Sequence, residues 1–203
     1  MKVLNLYAGV GGNRKLWKDV EVTAVEYTQK IADVYQNQYP QDKVVVGDAH
    51  EYLLQHYEEF DFIWSSPPCQ SHSKMAKATR HNVRRYTDLS LYEEIMLLKE
   101  KFQGSWVVEN VVPYYKPLIE PSFRVGRHLF WASGVCEVED IKRPKNFINS
   151  TNLAGRKAMQ EWLGIHFDEV LYYENNHCPA QVLRNAVHPK IGKEIMECLL
   201  KNH

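Results

Sequence analysis

Residues 2–12 read KVLNLYAGVGG, an apolar, β-prone run that ends in closely spaced glycines. Such a run is a strand feeding a tight turn, where glycine lets the backbone approach a ligand closely. The pattern then recurs with different endings. VEVTAV, residues 20–25, is a second β-branched run that stops at Glu26, and KVVV, residues 43–46, is a third that enters Gly47-Asp48. FDFIWS, residues 60–65, is a fourth, broken by Pro67-Pro68 directly before Cys69; Trp106-Val107-Val108 is a fifth, ending at Glu109-Asn110. Helical patterns fill the gaps: a short one at Leu16-Trp17, one from a Thr28 cap through Val34 and Tyr35, one around Leu53, and a long one from Leu89 to Phe102. This alternation predicts an α/β chain with a mostly parallel, doubly wound sheet, helices on both faces and ligands at the carboxyl ends of the strands. Glu26, Asp48, Cys69 and Glu109 all fall at such ends.

At 203 residues the chain has room for one sizeable core with a small appendage but not for two full domains. With 44% hydrophobic and 25% charged residues, and no stretch long enough to span a bilayer, it reads as soluble and globular. The N-terminus runs straight into glycines without the apolar core and cleavage site of a secretory signal, so a cytoplasmic location is the expectation. Cys69, Cys136, Cys178 and Cys198 are scattered, with no CxxC pair, and read as reduced thiols. From Ser133 to Ala180 the periodicity weakens into polar loops with a helix near Ala158–Leu163, which reads as a small insert; Ile191 to Leu200 closes the chain as an amphipathic helix.

Glycines after a strand are a weak signal alone, and Glu26 at the next strand end strengthens it, because a carboxylate there accepts hydrogen bonds from ribose hydroxyls. A dinucleotide fingerprint needs a third glycine where Arg14 stands, which disfavours a nicotinamide cofactor. Asp48 suits an adenine amino group and equally suits a helix N-cap. Two prolines present Cys69 at the ligand edge, before a basic segment, a setting for an exposed thiolate of lowered pKa. Glu109 closes an apolar strand, so its carboxyl is expected to titrate high and to serve as a proton donor. Lysines plus arginines equal aspartates plus glutamates at 25 each, yet no acid lies between Asp61 and Asp88. Lys74, Lys77, Arg80, Arg84 and Arg85 fall inside that gap, with His72 and His81, and fit a lid over a phosphate backbone. His166 and His177-Cys178 match no common zinc spacing, and no metal site is expected.

Together and in this order, these motifs resemble the cytosine-C5 DNA methyltransferases. The resemblance rests on N5-L-Y-A-G-V-G-G12, V25-E-Y27, G47-D-A49, P67-P-C-Q70, E109-N-V111 and R184-N-A-V187, and covers most of the chain. It implies a Rossmann-like catalytic domain over residues 1–132. A small insert at 133–180 would stand in place of a target recognition domain, and residues 181–203 would fold back beside the first loop. It implies S-adenosylmethionine as cofactor, held by Tyr7, Ala8, Gly9, Gly11, Glu26, Tyr27, Asp48, Ala49, Pro67, Leu91, Asn185 and Val187. Cys69 is then the nucleophile, Glu109 the acid and Arg127, in the partial motif R124-V-G-R127-H, a holder of the target base. Gln70, Ser73, Lys74, Lys77, Arg80, Arg84 and Arg85 are the implied DNA contacts. Asn5 stands where the family has aspartate, which implies a more weakly anchored loop, and Arg184 replaces a glycine and is placed to meet a cofactor carboxylate.

The implied reaction is methyl transfer to C5 of a cytosine in DNA, with Cys69 added covalently to C6 and the base flipped out of the stack. The small size and R127-H-L-F-W131 look most like phage-encoded members, in a bacterial or phage-infected cell and in the setting of restriction–modification. A monomer is the default. Two other readings stay open: the same chemistry on RNA, as in the tRNA branch of the fold, and a non-catalytic nucleic-acid-binding decoy.

Overall fold

A computed structural model describes residues 1–69, 72, 88–145, 152–173 and 178–201. Five strands, β1 (Lys2–Leu6), β2 (Glu21–Glu26), β3 (Lys43–Val46), β4 (Phe62–Ser65) and β5 (Ser105–Val111), pair in parallel as the alternation predicts. Two more strands, β6 (Phe123–Val125) and β7 (His128–Ala132), extend the sheet antiparallel beyond β5. The order is β3-β2-β1-β4-β5-β7-β6, a Rossmann-like, mostly parallel sheet. Sequence patterning misses the added hairpin because β6 has three residues and turns at once through Gly126-Arg127, with Gly126 at φ +55°.

The helices are α1 (Gln29–Gln38), α2 (Ala49–His56), α3 (Ser90–Lys101), α4 (Leu153–Leu163), α5 (Gln181–Asn185) and α6 (Pro189–Lys201). Because strand side chains alternate, the central strands feed two cores. Leu4, Leu6, Ile63 and Val108 meet Leu53 of α2 and Leu91, Ile95 and Leu98 of α3. Val3, Phe62, Trp64 and Val107 point the other way, onto Trp17 and onto Ile191, Ile195 and Leu199 of α6. Each such fully buried side chain contributes about 1.5–3 kcal/mol, so the sheet is pinned on both faces. No helix among the described residues is long and apolar enough to cross a membrane.

The 133–180 segment shares a third core with the catalytic part. Met159 and Leu163 of α4, together with Leu171, pack with Val10 of the first loop, with Ile31 and Val34 of α1, and with Val182 and Leu183 of α5. The segment therefore leans on the glycine loop. Arg14 turns inward, where its Nε and Nη2 donate to both carboxylate oxygens of Asp42 at 2.8 and 2.9 Å. The expectation of four reduced thiols is corrected: Cys136, after β7, and Cys198, in α6, form a disulfide across 62 residues of sequence, with Cα atoms 6.1 Å apart. Nothing in their spacing announces the pair, since only the packing of α6 under the sheet brings them together. Neither Cys69 nor Cys178 is in a disulfide.

Candidate active site

The carboxyl ends of β1 to β5 surround a cavity of about 290 Å³. Its wall contains Tyr7, Ala8 and Gly9 after β1, Glu26 and Tyr27 after β2, Asp48 and Ala49 after β3, and Pro67 and Cys69 after β4. Glu109 ends β5, Arg127 comes from the β6–β7 turn, and Asn185 and Val187 come from the C-terminal part. Two expected wall residues sit elsewhere. Gly11, at φ +74°, backs onto α1: a Cβ there would lie 2.3 Å from the Tyr39 ring, and the Tyr39 hydroxyl donates to its carbonyl at 2.7 Å. Leu91 is buried in the core under α3. Arg184 also lies off the wall; its carbonyl accepts from Arg127 Nη2 at 2.7 Å and its guanidinium lies 3.4 Å from the Cys178 sulfur. Gln70, Ser73, Lys74, Lys77, Arg80, His81, Arg84 and Arg85 lie outside the described residues.

The end of the cavity nearest β2 and β3 is built by short hydrogen bonds between loops. Gly9 and Thr28 N–H groups each donate at 3.0 Å to a different oxygen of the buried Glu26 carboxylate, which fixes the first loop to the end of β2. Thr28 sits at the N-cap of α1 without a side-chain capping bond. Asp48 is the N-cap of α2, its Oδ1 accepting from Glu51 N–H at 3.0 Å, and it also lines the cavity. Asn5 accepts from Asn13 Nδ2 at 2.7 Å, while its own Nδ2 is buried without a partner.

Glu94 is a positioning residue that the patterning overlooks. It is fully buried on α3 and accepts the Tyr7 and Ser65 hydroxyls, both at 2.6 Å, with His50 Nδ1 at 3.1 Å. One carboxylate thereby ties together the ends of β1 and β4 and the start of α2. The available signal was an acid between Leu91, Ile95 and Leu98 on the apolar face of a helix.

Residues 184–187 fold back beside the first loop, and Gly12 makes this possible. A Cβ on Gly12 would lie 2.4 Å from the Val187 carbonyl oxygen and 3.1 Å from Ala186 Cβ. We expect Gly12→Ala to cost about 1–3 kcal/mol of stability, as forced overpacking does, and to weaken cofactor binding because Asn185 and Val187 share the wall. Denaturant unfolding and calorimetric binding check both; a wild-type midpoint would show that the contact yields freely.

At the other end of the cavity lie Cys69, Glu109 and Arg127. Asn110 Nδ2 donates to the Pro67 carbonyl at 3.0 Å, joining the segment that carries Glu109 to the one that carries Cys69. His72 N–H donates to the Cys69 carbonyl at 3.1 Å, and its buried ring packs against Tyr115; burial pushes its pKa down, so it braces the turn and is not a cationic clamp. The expected lowered pKa of Cys69 is corrected. Burial first, and then the charge of Glu109, push the thiol up to about 11, against a smaller opposing pull from Arg127. Burial likewise lifts Glu109 to about 7, opposed by the Ser66 hydroxyl and Arg127. His128 Nδ1 lies 3.2 Å from Glu109 Oε1, and its Nε2 accepts from Arg127 Nε at 3.1 Å. Since arginine only donates, Nε2 carries the lone pair and the ring proton is on Nδ1, facing Glu109. Burial and the charges of Arg127 and Arg143 push His128 down to about 3, so the ring is neutral. Neither His128 nor Tyr173, which also lines the cavity, was reached by sequence reasoning.

No curated protein matches this chain. Among solved structures, DNMT2 of Spodoptera frugiperda, in an E260A/E261A/K263A mutant, matches at 24% identity and TM-score 0.39, covering 54% of this chain and 35% of that one. A DNA modification methyltransferase described as encoded within an Escherichia coli prophage matches at 22% and 0.38, covering 57% and 33%. A conserved hypothetical protein of Streptococcus pyogenes matches at 16% and 0.45, covering 64% and 83%. This chain thus spans about a third of the length of the first two. The family model described as C-5 cytosine-specific DNA methylase matches residues 1–117, a stretch that carries the glycine loop, Glu26, Asp48, Cys69 and Glu109. With more than half of its 203 residues inside that match, the chain belongs to the C-5 cytosine-specific DNA methylase family.

Proposed function

We propose that this protein transfers a methyl group from S-adenosylmethionine to C5 of a cytosine in DNA. The observation that carries the reading is one cavity walled at one end by Glu26, Tyr27 and Asp48 and at the other by Cys69, Glu109 and Arg127. The first end fits an adenosine: Glu26 has acceptor oxygens for ribose hydroxyls, Asp48 an acceptor for an amino group, and the exposed Tyr27 ring a face for a base. When bound, the cofactor supplies an electrophilic methyl group.

The chain's own residues supply the rest. Cys69 Sγ bonds to C6 of the cytosine as its proton leaves, and a proton from Glu109 arrives at N3, so the addition is neutral overall. At about 7, Glu109 holds that proton in roughly half of the molecules at neutral pH, and its carboxylate form is the base that can accept the thiol proton. C5, now nucleophilic, takes the methyl group. N3 returns its proton to Glu109, the C5 proton passes to water as the Cys69 thiolate departs and the ring is restored, and the thiolate regains its proton from Glu109. Arg127, held by the Arg184 carbonyl, offers charge beside both groups. A stacked cytosine hides C5 and C6, so the target base must be unpaired or flipped into the cavity; Lys74, Lys77, Arg80, Arg84 and Arg85 are the proposed clamp on the DNA backbone. The 133–180 insert is read as the target-recognising part, and its small size points to a short or relaxed target site.

A duplex bearing 5-fluorocytosine tests the covalent step, because fluorine at C5 cannot leave as a proton does. We expect a protein–DNA adduct stable to denaturation that forms only with S-adenosylmethionine present and is absent from Cys69→Ala. An adduct on matched RNA but not on DNA would transfer the reading to an RNA substrate.

A further inference from the structure

Tyr173 belongs to the insert, yet its side chain joins the cavity wall beside Gly9. Its hydroxyl oxygen lies 3.5 Å from the position that a Cβ on Gly9 would take. Gly9 is the residue whose N–H is tied to Glu26, so the phenol oxygen stands next to the expected ribose site. The ring is seated in the apolar cluster of Val10, Ile31, Leu171 and Val182, which holds it against the first loop. Burial first, and then the charge of Glu26, push its pKa up, so it is a neutral phenol at any pH of use. Tyr173 thus shares one cavity wall with Glu26 and with Cys69.

The chemistry of the proposed reaction, on which this inference rests, fixes what lies there. Ribose at Glu26 and cytosine C6 at Cys69 leave the donor's sulfur to be placed between them, since the methyl group must reach C5 of the same ring. That sulfur is positively charged before transfer and neutral after it. We propose that Tyr173 reads this charge: its hydroxyl oxygen faces the donor's sulfonium and makes the cleft hold the methylated donor more tightly than the spent thioether. The preference follows from the oxygen's lone pairs, which attract a cationic centre and the polarised C–H bonds of its methyl group. It would help to clear the product and so assist turnover.

The test is isothermal titration of the intact chain with S-adenosylmethionine, with S-adenosylhomocysteine, and with an analogue carrying an ammonium in place of the methylsulfonium. Tyr173→Phe keeps the ring and removes only the oxygen. It is expected to weaken binding of both cationic ligands about five- to tenfold, the scale of one ordinary lost hydrogen bond, while the neutral thioether stays within about twofold. Thermal unfolding of the variant should match the wild type, since the ring's packing is unchanged. Equal weakening of all three ligands would make Tyr173 a plain wall contact and overturn the inference, as would no change. Tighter binding of all three would also overturn it, making the side chain an obstruction. If wild-type protein binds none of the three, the methyl-donor reading itself falls, and this inference with it.

Discussion

Cys69→Ala is expected to lower methyl transfer by about 10⁴-fold or more, the scale on which removing a covalent nucleophile acts, while leaving cofactor binding little changed. The separation follows from the cavity: Glu26 and Asp48 hold one end, and Cys69 stands at the other. The wild-type thiol, pushed up to about 11, is overwhelmingly protonated at neutral pH. Alkylation of Cys69 in the free protein should therefore be slow at pH 7 and should accelerate through pH 10. A thiol that reacts fully at pH 7 would contradict this electrostatic picture.

Glu109→Gln should reduce methylation by about 10²–10⁴-fold, the usual contribution of a general acid, and should also stabilise the fold at alkaline pH. The sign follows from burial. Glu109 titrates near 7 in the folded chain against 4.5 as a free carboxyl, so the folded state keeps its proton to higher pH than the unfolded one. Its contribution is then full below about pH 4.5 and is lost as pH rises towards 7. At pH 8 the buried carboxylate costs of the order of 3 kcal/mol, which glutamine avoids. Urea unfolding at pH 8 should give a higher midpoint for Glu109→Gln, and the two proteins should converge by pH 4.5 as far as this group is concerned. The same substitution removes the negative charge that raises Cys69, so the thiol should titrate lower in Glu109→Gln. A variant less stable than wild type at pH 8 would mean that Glu109 is held as a carboxylate by partners stronger than Ser66, Arg127 and His128.

The parallel part of the fold was legible because its strands are short apolar, β-branched runs, buried on both faces, that stop at chemically distinct residues. Val3, Leu4 and Leu6, for instance, belong to cores on opposite faces, as their alternation implies. The hairpin of β6 and β7 was not legible, since three residues and a glycine turn leave too few positions for a period to show. The wall residues contributed by strand ends were readable from their place after each apolar run. Those that depend on long-range packing were not: Glu94 reaches the site through α3, His128 through strand pairing, and Tyr173 through a segment that leans on the first loop. The Cys69 pKa went the opposite way from the sequence reading for a related reason. The basic residues that follow Cys69 in sequence imply a lowered pKa, whereas burial and Glu109 dominate in space.

The central claim is that this cavity places a methyl group on cytosine C5 in DNA. Its most direct test is to incubate the purified chain with isotopically labelled S-adenosylmethionine and either genomic DNA or total RNA, digest to nucleosides and weigh them, with Cys69→Ala in parallel. The expected result is labelled 5-methyldeoxycytidine from DNA with wild-type protein and none with the variant. Label confined to RNA cytidine, or methyldeoxycytidine formed equally by Cys69→Ala, would contradict it.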